Sequence, residues 1–251
     1  MTTVLRSLLF NVCFFGVCVA FVLATALMLP LPRRVTQCSF RLWVCAVLWL
    51  SRSVIGLDYE VRGEENIPAG GAIFASKHQS AWDVGIFHVV THDPAYVLKK
   101  ELLLIPFYGW SLRKSAMIDI DRAGGASALK RLLLKSRQAL DKGRSVIIFP
   151  EGTRTAPGQR LPYHPGVAAL YRRSLAHVVP VALNSGCFWG RRSFLKYPGV
   201  ITIEFLPPLP QGLDRRSFMA EFEVRVEAAS NKLVSEAASK YPRPAAGAPA
   251  S

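Results

Sequence analysis

Residues 72–83 read Ala72-Ile73-Phe74-Ala75-Ser76-Lys77-His78-Gln79-Ser80-Ala81-Trp82-Asp83. The first five form a short apolar run with the character of a buried strand. Ser80 with Asp83 three residues on is a capping box, and Val84-Gly85-Ile86-Phe87 continues it as a core-facing helix. A buried strand that turns straight into a capped helix opens a βα unit, and its alternation with further strands and helices points to an α/β fold. A second strand end lies at Ser145-Val146-Ile147-Ile148-Phe149, a β-branched run suited to a buried parallel strand. Pro150 and Gly152 then force a turn. In open α/β sheets ligands gather at the carboxyl ends of strands, which is where Glu151, Gly152, Thr153 and Arg154 fall.

Within a continuous helix, residues five apart sit about 140° apart, so His78 and Asp83 would not meet. With the helix starting at Ser80, His78 lies on the incoming turn and can fold back towards Asp83. A neutral imidazole so placed can take the proton of a hydroxyl that attacks a carbonyl, while the carboxylate fixes the ring's tautomer and stabilises the imidazolium that forms. A second H-x4-D pair, His88 and Asp93, has its histidine inside the helical run, where it reads as core.

His78-x4-Asp83 followed by Phe149-Pro150-Glu151-Gly152-Thr153-Arg154 resembles the glycerolipid acyltransferase family, in particular its bacterial 1-acylglycerol-3-phosphate acyltransferases, over roughly residues 58–210. The resemblance implies that an acceptor hydroxyl attacks an acyl thioester directly, with His78 as base, Asp83 as its orienter and no protein nucleophile. It assigns phosphate binding to Arg154, to Arg122 after Met117-Ile118-Asp119-Ile120-Asp121, and to Lys100 in Lys99-Lys100-Glu101-Leu102. Glu151 would order the arginines or the acceptor's polar groups, with Gly152 and Thr153 completing the substrate-binding turn. Val179-Pro180-Val181-Ala182-Leu183 resembles a further family block, a strand near the acyl site. One departure is visible: where many relatives have an aromatic residue, a lysine and then a glycine, this chain has Tyr163-His164-Pro165-Gly166. A titratable imidazole there replaces a fixed charge.

With 251 residues, 51% of them hydrophobic, the chain has room for one α/β domain and an apolar appendage. Its formal charge of +14 implies an anionic partner: nucleic acid, anionic lipid headgroups or an acidic acyl carrier protein. Residues 1–57 carry arginines and no lysine or acid, which favours a membrane surface. Residues 8–29 are uncharged, long enough to cross a bilayer core of about 30 Å, and too long for a signal peptide's apolar region. Residues 42–50 are too short to cross; Trp43 and Trp49, between Arg41 and Arg52, suit an interfacial helix with both indoles at headgroup level. The five cysteines form no metal or disulfide pattern, and small buried hydrophobes in a reducing compartment is the reading they support.

Further along, residues 126–142 form an amphipathic helix with core leucines and a glycine stop at Gly143, residues 165–175 a helix opened by proline, and residues 200–206 a strand ended by Pro207-Pro208. Phe218, Phe222, Val226 and Leu233 recur at helical spacing. The expected architecture is a mixed, mostly parallel sheet flanked by helices: an N-terminal membrane-associated helical segment over 1–57, an acyltransferase domain over 58–240 and a disordered tail over 241–251. The expected reaction moves a fatty acyl group from acyl-CoA or acyl carrier protein, as co-substrate, to the sn-2 hydroxyl of a lysophospholipid, lysophosphatidate first. No metal and no other cofactor is expected, and the setting is the cytoplasmic face of the inner membrane. The alternatives are another acceptor, such as a phosphate-free lyso-ornithine lipid, and a non-catalytic basic binder of membrane or nucleic acid. Recognisable nucleic-acid motifs are absent, so no nucleic-acid partner is expected.

Overall fold

The structure is a computed structural model that describes residues 2–121, 124–174 and 176–242. Arg122 and the tail beyond 242 lie outside the described residues. Two helices open the chain, α1 (Thr3–Leu27) and α2 (Arg33–Leu50), and α2 winds on through a wider turn at Ser51–Ile55. Both are long and apolar enough to cross a membrane. The second helix is longer than its apolar run because Arg33 to Arg41 wind on the same axis, their polarity notwithstanding.

Seven strands follow: β1 (Leu57–Arg62), β2 (Ile73–Ser76), β3 (Ala95–Lys99), β4 (Ile118–Ile120), β5 (Val146–Ile148), β6 (Val178–Leu183) and β7 (Gly199–Phe205). They form one sheet in the order β1-β7-β6-β2-β5-β3-β4. Every neighbouring pair is parallel except β6 and β7. The connecting helices are α3 (Trp82–Val90), α4 (Tyr108–Lys114), α5 (Gly125–Leu140), α6 (Gly166–Arg173) and α7 (Arg215–Lys240).

Because side chains alternate along a strand, the sheet has two cores. Phe74, Ile147 and Val179 face one way, joining Phe10 of α1, Phe40 and Val47 of α2, and Ile86 and Phe87 of α3. Ile73, Ala75, Val146 and Val178 face the other way, towards Leu132, Leu170, Phe218, Phe222 and Val226. In α5 the buried stripe is Ala128, Leu132, Ser136 and Ala139, whereas Leu129 is partly exposed. The packing runs unbroken from α1 and α2 into the sheet, so these helices are built into the core as well as being apolar outside.

Their outer faces carry Leu8, Val12, Phe15, Val19, Leu23 and Leu27 on α1, with Leu42 and Trp49 on α2. This continuous apolar exterior is the membrane-associated surface. The two tryptophans part company: Trp49 is 69% exposed, while Trp43 stacks on Phe21 between the helices at 5.2 Å. The cysteines are also not the buried hydrophobes expected. Cys13, Cys18 and Cys187 are half-buried, and Cys38 and Cys45 are exposed on the outward stripe they share with Leu42 and Trp49.

Candidate active site

β2 and β5 are parallel neighbours, Ile73 beside Val146. Their carboxyl ends therefore deliver the two motifs to one edge of the sheet. Neither turn is left to drift. The backbone N–H of Thr155 donates to the carbonyl of His78 at 2.7 Å, and the backbone N–H of His78 donates to Glu151 Oε2 at 2.8 Å. Gly152 takes φ +67°, a left-handed turn that suits glycine.

Asp83, fully buried, gathers the other motif around itself. Its Oδ2 lies 3.0 Å from His78 Nδ1 and accepts the backbone N–H groups of Gln79 at 2.6 Å and Ser80 at 2.8 Å. Its Oδ1 accepts the hydroxyl of Ser185 at 2.5 Å, just beyond the end of β6. Half of the capping box forms as expected, Asp83 accepting the Ser80 amide, while the Ser80 hydroxyl accepts from Trp82 N at 3.2 Å rather than from Asp83 and the helix begins at Trp82. That half supplies the turn that brings His78 and Asp83 together. The imidazole stacks on Phe149 at 4.2 Å, and with Nδ1 committed to Asp83, Nε2 is the ring atom left to handle a proton.

His78 opens into a cavity of about 400 Å³ whose rim carries Lys99, Thr153, Arg154, Arg191 and Arg192. The rest of its wall is mostly apolar, including Phe40 and Trp43 of α2 with Leu102, Tyr108 and Leu112, and His88 also lines it. Burial raises the Tyr96 and Tyr108 phenols, so both stay neutral in this wall. A second cavity of about 630 Å³, lined by α5 and α6 residues, shares Val97, Phe149 and Gly152 with the first. Such a space, positive at its mouth and apolar within, matches an anionic amphiphile.

Other residues singled out from the sequence sit differently. Glu151 points inward with both oxygens occupied, by the His78 amide and by Lys77 Nζ at 2.8 Å, rather than towards Arg154. Lys100 lies outside the His78 cavity; its ammonium pairs with Asp121, whose carboxylate raises its pKa, and the neighbouring Lys99 lines the cavity instead. His164 is exposed and lines only the second cavity. Arg122 lies outside the described residues. His88 is buried against Phe40, their rings parallel at 5.2 Å. Burial pushes its pKa down to about 4, against the pull of Asp93. Asp93 itself is held by Arg33 and Gln37, so this second H-x4-D pair is a packing feature.

Sequence reasoning passed over Lys77, Ser185, Arg191 and Arg192. Lys77 is buried between Glu151 and Glu227, the latter also accepting from Tyr163 Oη at 2.6 Å. A lysine directly after an apolar strand was the available signal. Ser185 gave none, because only the β2–β6 pairing brings it to Asp83.

The chain is similar to known proteins in sequence and in fold. Residues 58–184 match the family model described as Acyltransferase. The 1-acyl-sn-glycerol-3-phosphate acyltransferase of Pseudomonas aeruginosa is 38% identical over 194 residues, covering 77% of this chain and 76% of that protein. The protein of the same description from Limnanthes alba is 33% identical over 167 residues, 65% of this chain and 57% of its own length. In fold, the chain is similar to the crystal structure of the 1-acyl-sn-glycerophosphate acyltransferase of Thermotoga maritima, with a TM-score of 0.74 at 20% identity over 92% of this chain and 99% of that one. With its two motifs joined at the carboxyl ends of β2 and β5 and half the chain covered by the family model, this protein is a member of the acyltransferase family.

Proposed function

We propose that the protein transfers a fatty acyl group from a coenzyme A or acyl-carrier-protein thioester to the sn-2 hydroxyl of 1-acyl-glycerol-3-phosphate, giving phosphatidate, at the cytoplasmic face of the inner membrane. The observation that carries this reading is the His78–Asp83 pair at the mouth of a cation-rimmed, apolar cavity. His78 Nε2 takes the proton of the acceptor hydroxyl as its oxygen attacks the thioester carbonyl. Asp83 holds the ring through Nδ1 and stabilises the imidazolium. Collapse of the tetrahedral intermediate breaks the carbon–sulfur bond, and the imidazolium returns its proton to the departing thiolate. Ser185 and the two backbone N–H groups keep the Asp83 carboxylate aimed, so the base is oriented before substrate arrives.

Arg154, which lines the cavity with Lys99, Arg191 and Arg192 and whose carbonyl accepts from Arg191 at 3.3 Å, binds the acceptor's phosphate; a planar guanidinium suits that group. Arg122 keeps the phosphate-binding role that the resemblance gives it, and Lys99, in the cavity lining, takes the role it gives to the neighbouring Lys100. Glu151 acts from inside, with Lys77, holding the two motif turns together. The apolar wall receives acyl chain, and the net charge of +14 favours an acidic carrier protein or coenzyme A as donor.

The decisive experiment is an acyl-transfer assay of the purified protein across lysophosphatidate, other lysophospholipids and a lyso-ornithine lipid, with both donor types. Highest kcat/KM on lysophosphatidate is expected. Absence of transfer to every lysolipid would overturn the proposal.

A further inference from the structure

The segment from Leu102 to Leu112 has two faces. Leu102, Tyr108 and Leu112 line the His78 cavity together with Phe40 and Trp43 of α2. Leu104, Ile105, Phe107 and Trp110 turn outward, exposed by 74%, 44%, 40% and 46%. This outward face is held in place. The Phe107 and Trp110 rings meet edge to face at 5.0 Å. Phe107 holds φ +61°, which a bulky residue adopts only where its surroundings impose it. Gly109 packs so closely that an added Cβ would lie 2.4 Å from the Leu103 carbonyl oxygen.

The composition around this face selects its partner. Lys99, Lys100 and Glu101 precede it, with Lys100 paired to Asp121, and Arg113 and Lys114 follow it, which leaves the border net cationic. Lys114 donates to the carbonyl of Leu29, at the end of α1 where Leu27 and Leu31 are themselves exposed. The patch therefore continues the apolar exterior of α1, with a cationic border that matches anionic headgroups and an indole suited to the interface.

We propose that Leu104, Ile105, Phe107 and Trp110 are a second membrane contact, distinct from the N-terminal helices. One wall of the His78 cavity then sits in the bilayer itself, and a lysolipid acceptor enters between this segment and α2 without leaving the membrane. The entry route rests on the acyltransferase reading; the membrane contact does not.

The test uses the full-length protein in vesicles of phosphatidylcholine and phosphatidylglycerol. Brominated acyl chains should quench the tryptophan fluorescence of the wild type more than that of Trp110→Phe, a variant mild enough to preserve the fold. The variant L104S/F107S/W110S should stay membrane-bound through α1 and α2. Its KM for bilayer-borne long-chain lysophosphatidate should rise tenfold or more, and that for a monomeric short-chain lysophosphatidate should stay within twofold. Equal quenching of wild type and Trp110→Phe would place the segment in water and overturn the contact. An equal rise in both KM values would reassign the segment to packing and overturn the entry route. A lost oligomer with unchanged KM would make the face a contact between copies and overturn both. A wild type that acylates neither acceptor would remove the acyltransferase reading, while the quenching result would still decide the contact.

Discussion

Glu151 accepts the backbone N–H of His78 at 2.8 Å, so the second motif grips the first by its main chain. The other oxygen of the same carboxylate takes the buried ammonium of Lys77, and Lys77 reaches on to Glu227 of α7 at 2.9 Å. The Glu151 side chain is wholly buried, behind the two turns rather than on the cavity lining.

Glu151→Gln therefore tests shape against contact. Removing one partner of a buried ion pair costs on the order of 3 kcal/mol, so the melting temperature should fall by several degrees and kcat should drop with it. If the carboxylate instead met the acceptor, thermal melting would be unchanged and only the acceptor KM would move.

The two histidines should separate cleanly. His78→Ala is expected to lower kcat by about 10²- to 10⁴-fold, the usual worth of a general base, without moving the melting temperature. His88→Ala should do the reverse, since His88 is stacked on Phe40 in the core. Asp83→Asn should fall close to His78→Ala, because an amide cannot accept at Oδ2 from Gln79 and Ser80 and also present the carboxylate to the ring. Full activity in His78→Ala would remove the base.

Much of this site was legible in the sequence because each motif sits where its own strand must end. The turn at Ser80 joins His78 to Asp83 as the sequence led us to expect, and two apolar runs put both motifs at strand ends; that β2 and β5 are neighbours, which brings Arg154 to them, is seen only in the structure. β1 was less visible: Leu57–Arg62 carries Asp58, Glu60 and Arg62 and lies at the sheet edge, where one flank needs no apolar cover. β3 follows the Asp93-Pro94 turn and runs from buried Ala95 and Tyr96 to exposed Lys99, without a continuous apolar run. Lys99, Arg191 and Arg192 reach the cavity from segments far apart in the chain, so no local pattern announces them. Glu151 finds partners that its own turn does not announce: a carboxylate next to an arginine reads as an ion pair until Lys77 is found beneath it.

Acid stability should carry the signature of His88. Its pKa in the folded protein is about 4, below the imidazole's ordinary 6.5, so between those values the unfolded chain takes up a proton that the folded one refuses. Stability from this group is intact above pH 6.5 and declines by roughly 1.4 kcal/mol per pH unit as pH falls towards 4. His88→Phe, which keeps a ring on Phe40, should flatten that decline in melting curves taken in detergent from pH 4 to 7.5. Parallel curves for variant and wild type would refute the assignment.

Membrane attachment is best tested by changing the outer face of α1 and leaving the helix in place. Deleting residues 1–57 would strip Phe10, Phe40 and Val47 from the core and confuse detachment with unfolding. Replacing Val12, Phe15, Val19 and Leu23 by serine alters only exposed or partly exposed positions, so a folded protein should shift from the membrane pellet towards the soluble fraction at high salt. Retention of the variant in the pellet would place the main anchor elsewhere. Phe10→Ala, by contrast, should cost about 3–5 kcal/mol of stability as a core truncation.

The acceptor assignment turns on Arg154, which shares the cavity mouth with His78, Arg191 and Arg192. If its guanidinium grips a phosphate monoester with two parallel hydrogen bonds, Arg154→Lys keeps the charge and loses the fork. Charge-assisted hydrogen bonds contribute roughly 1.5–3 kcal/mol each, so the KM for lysophosphatidate should rise tenfold or more with the donor's KM unchanged. A rise in the donor's KM alone would give Arg154 to the thioester's phosphates instead. The sharper control is the wild type on a lyso-ornithine lipid, which has no phosphate for this arginine to hold. Equal efficiency on that acceptor and on lysophosphatidate would leave the chemistry at His78 standing and move the acceptor to the phosphate-free class.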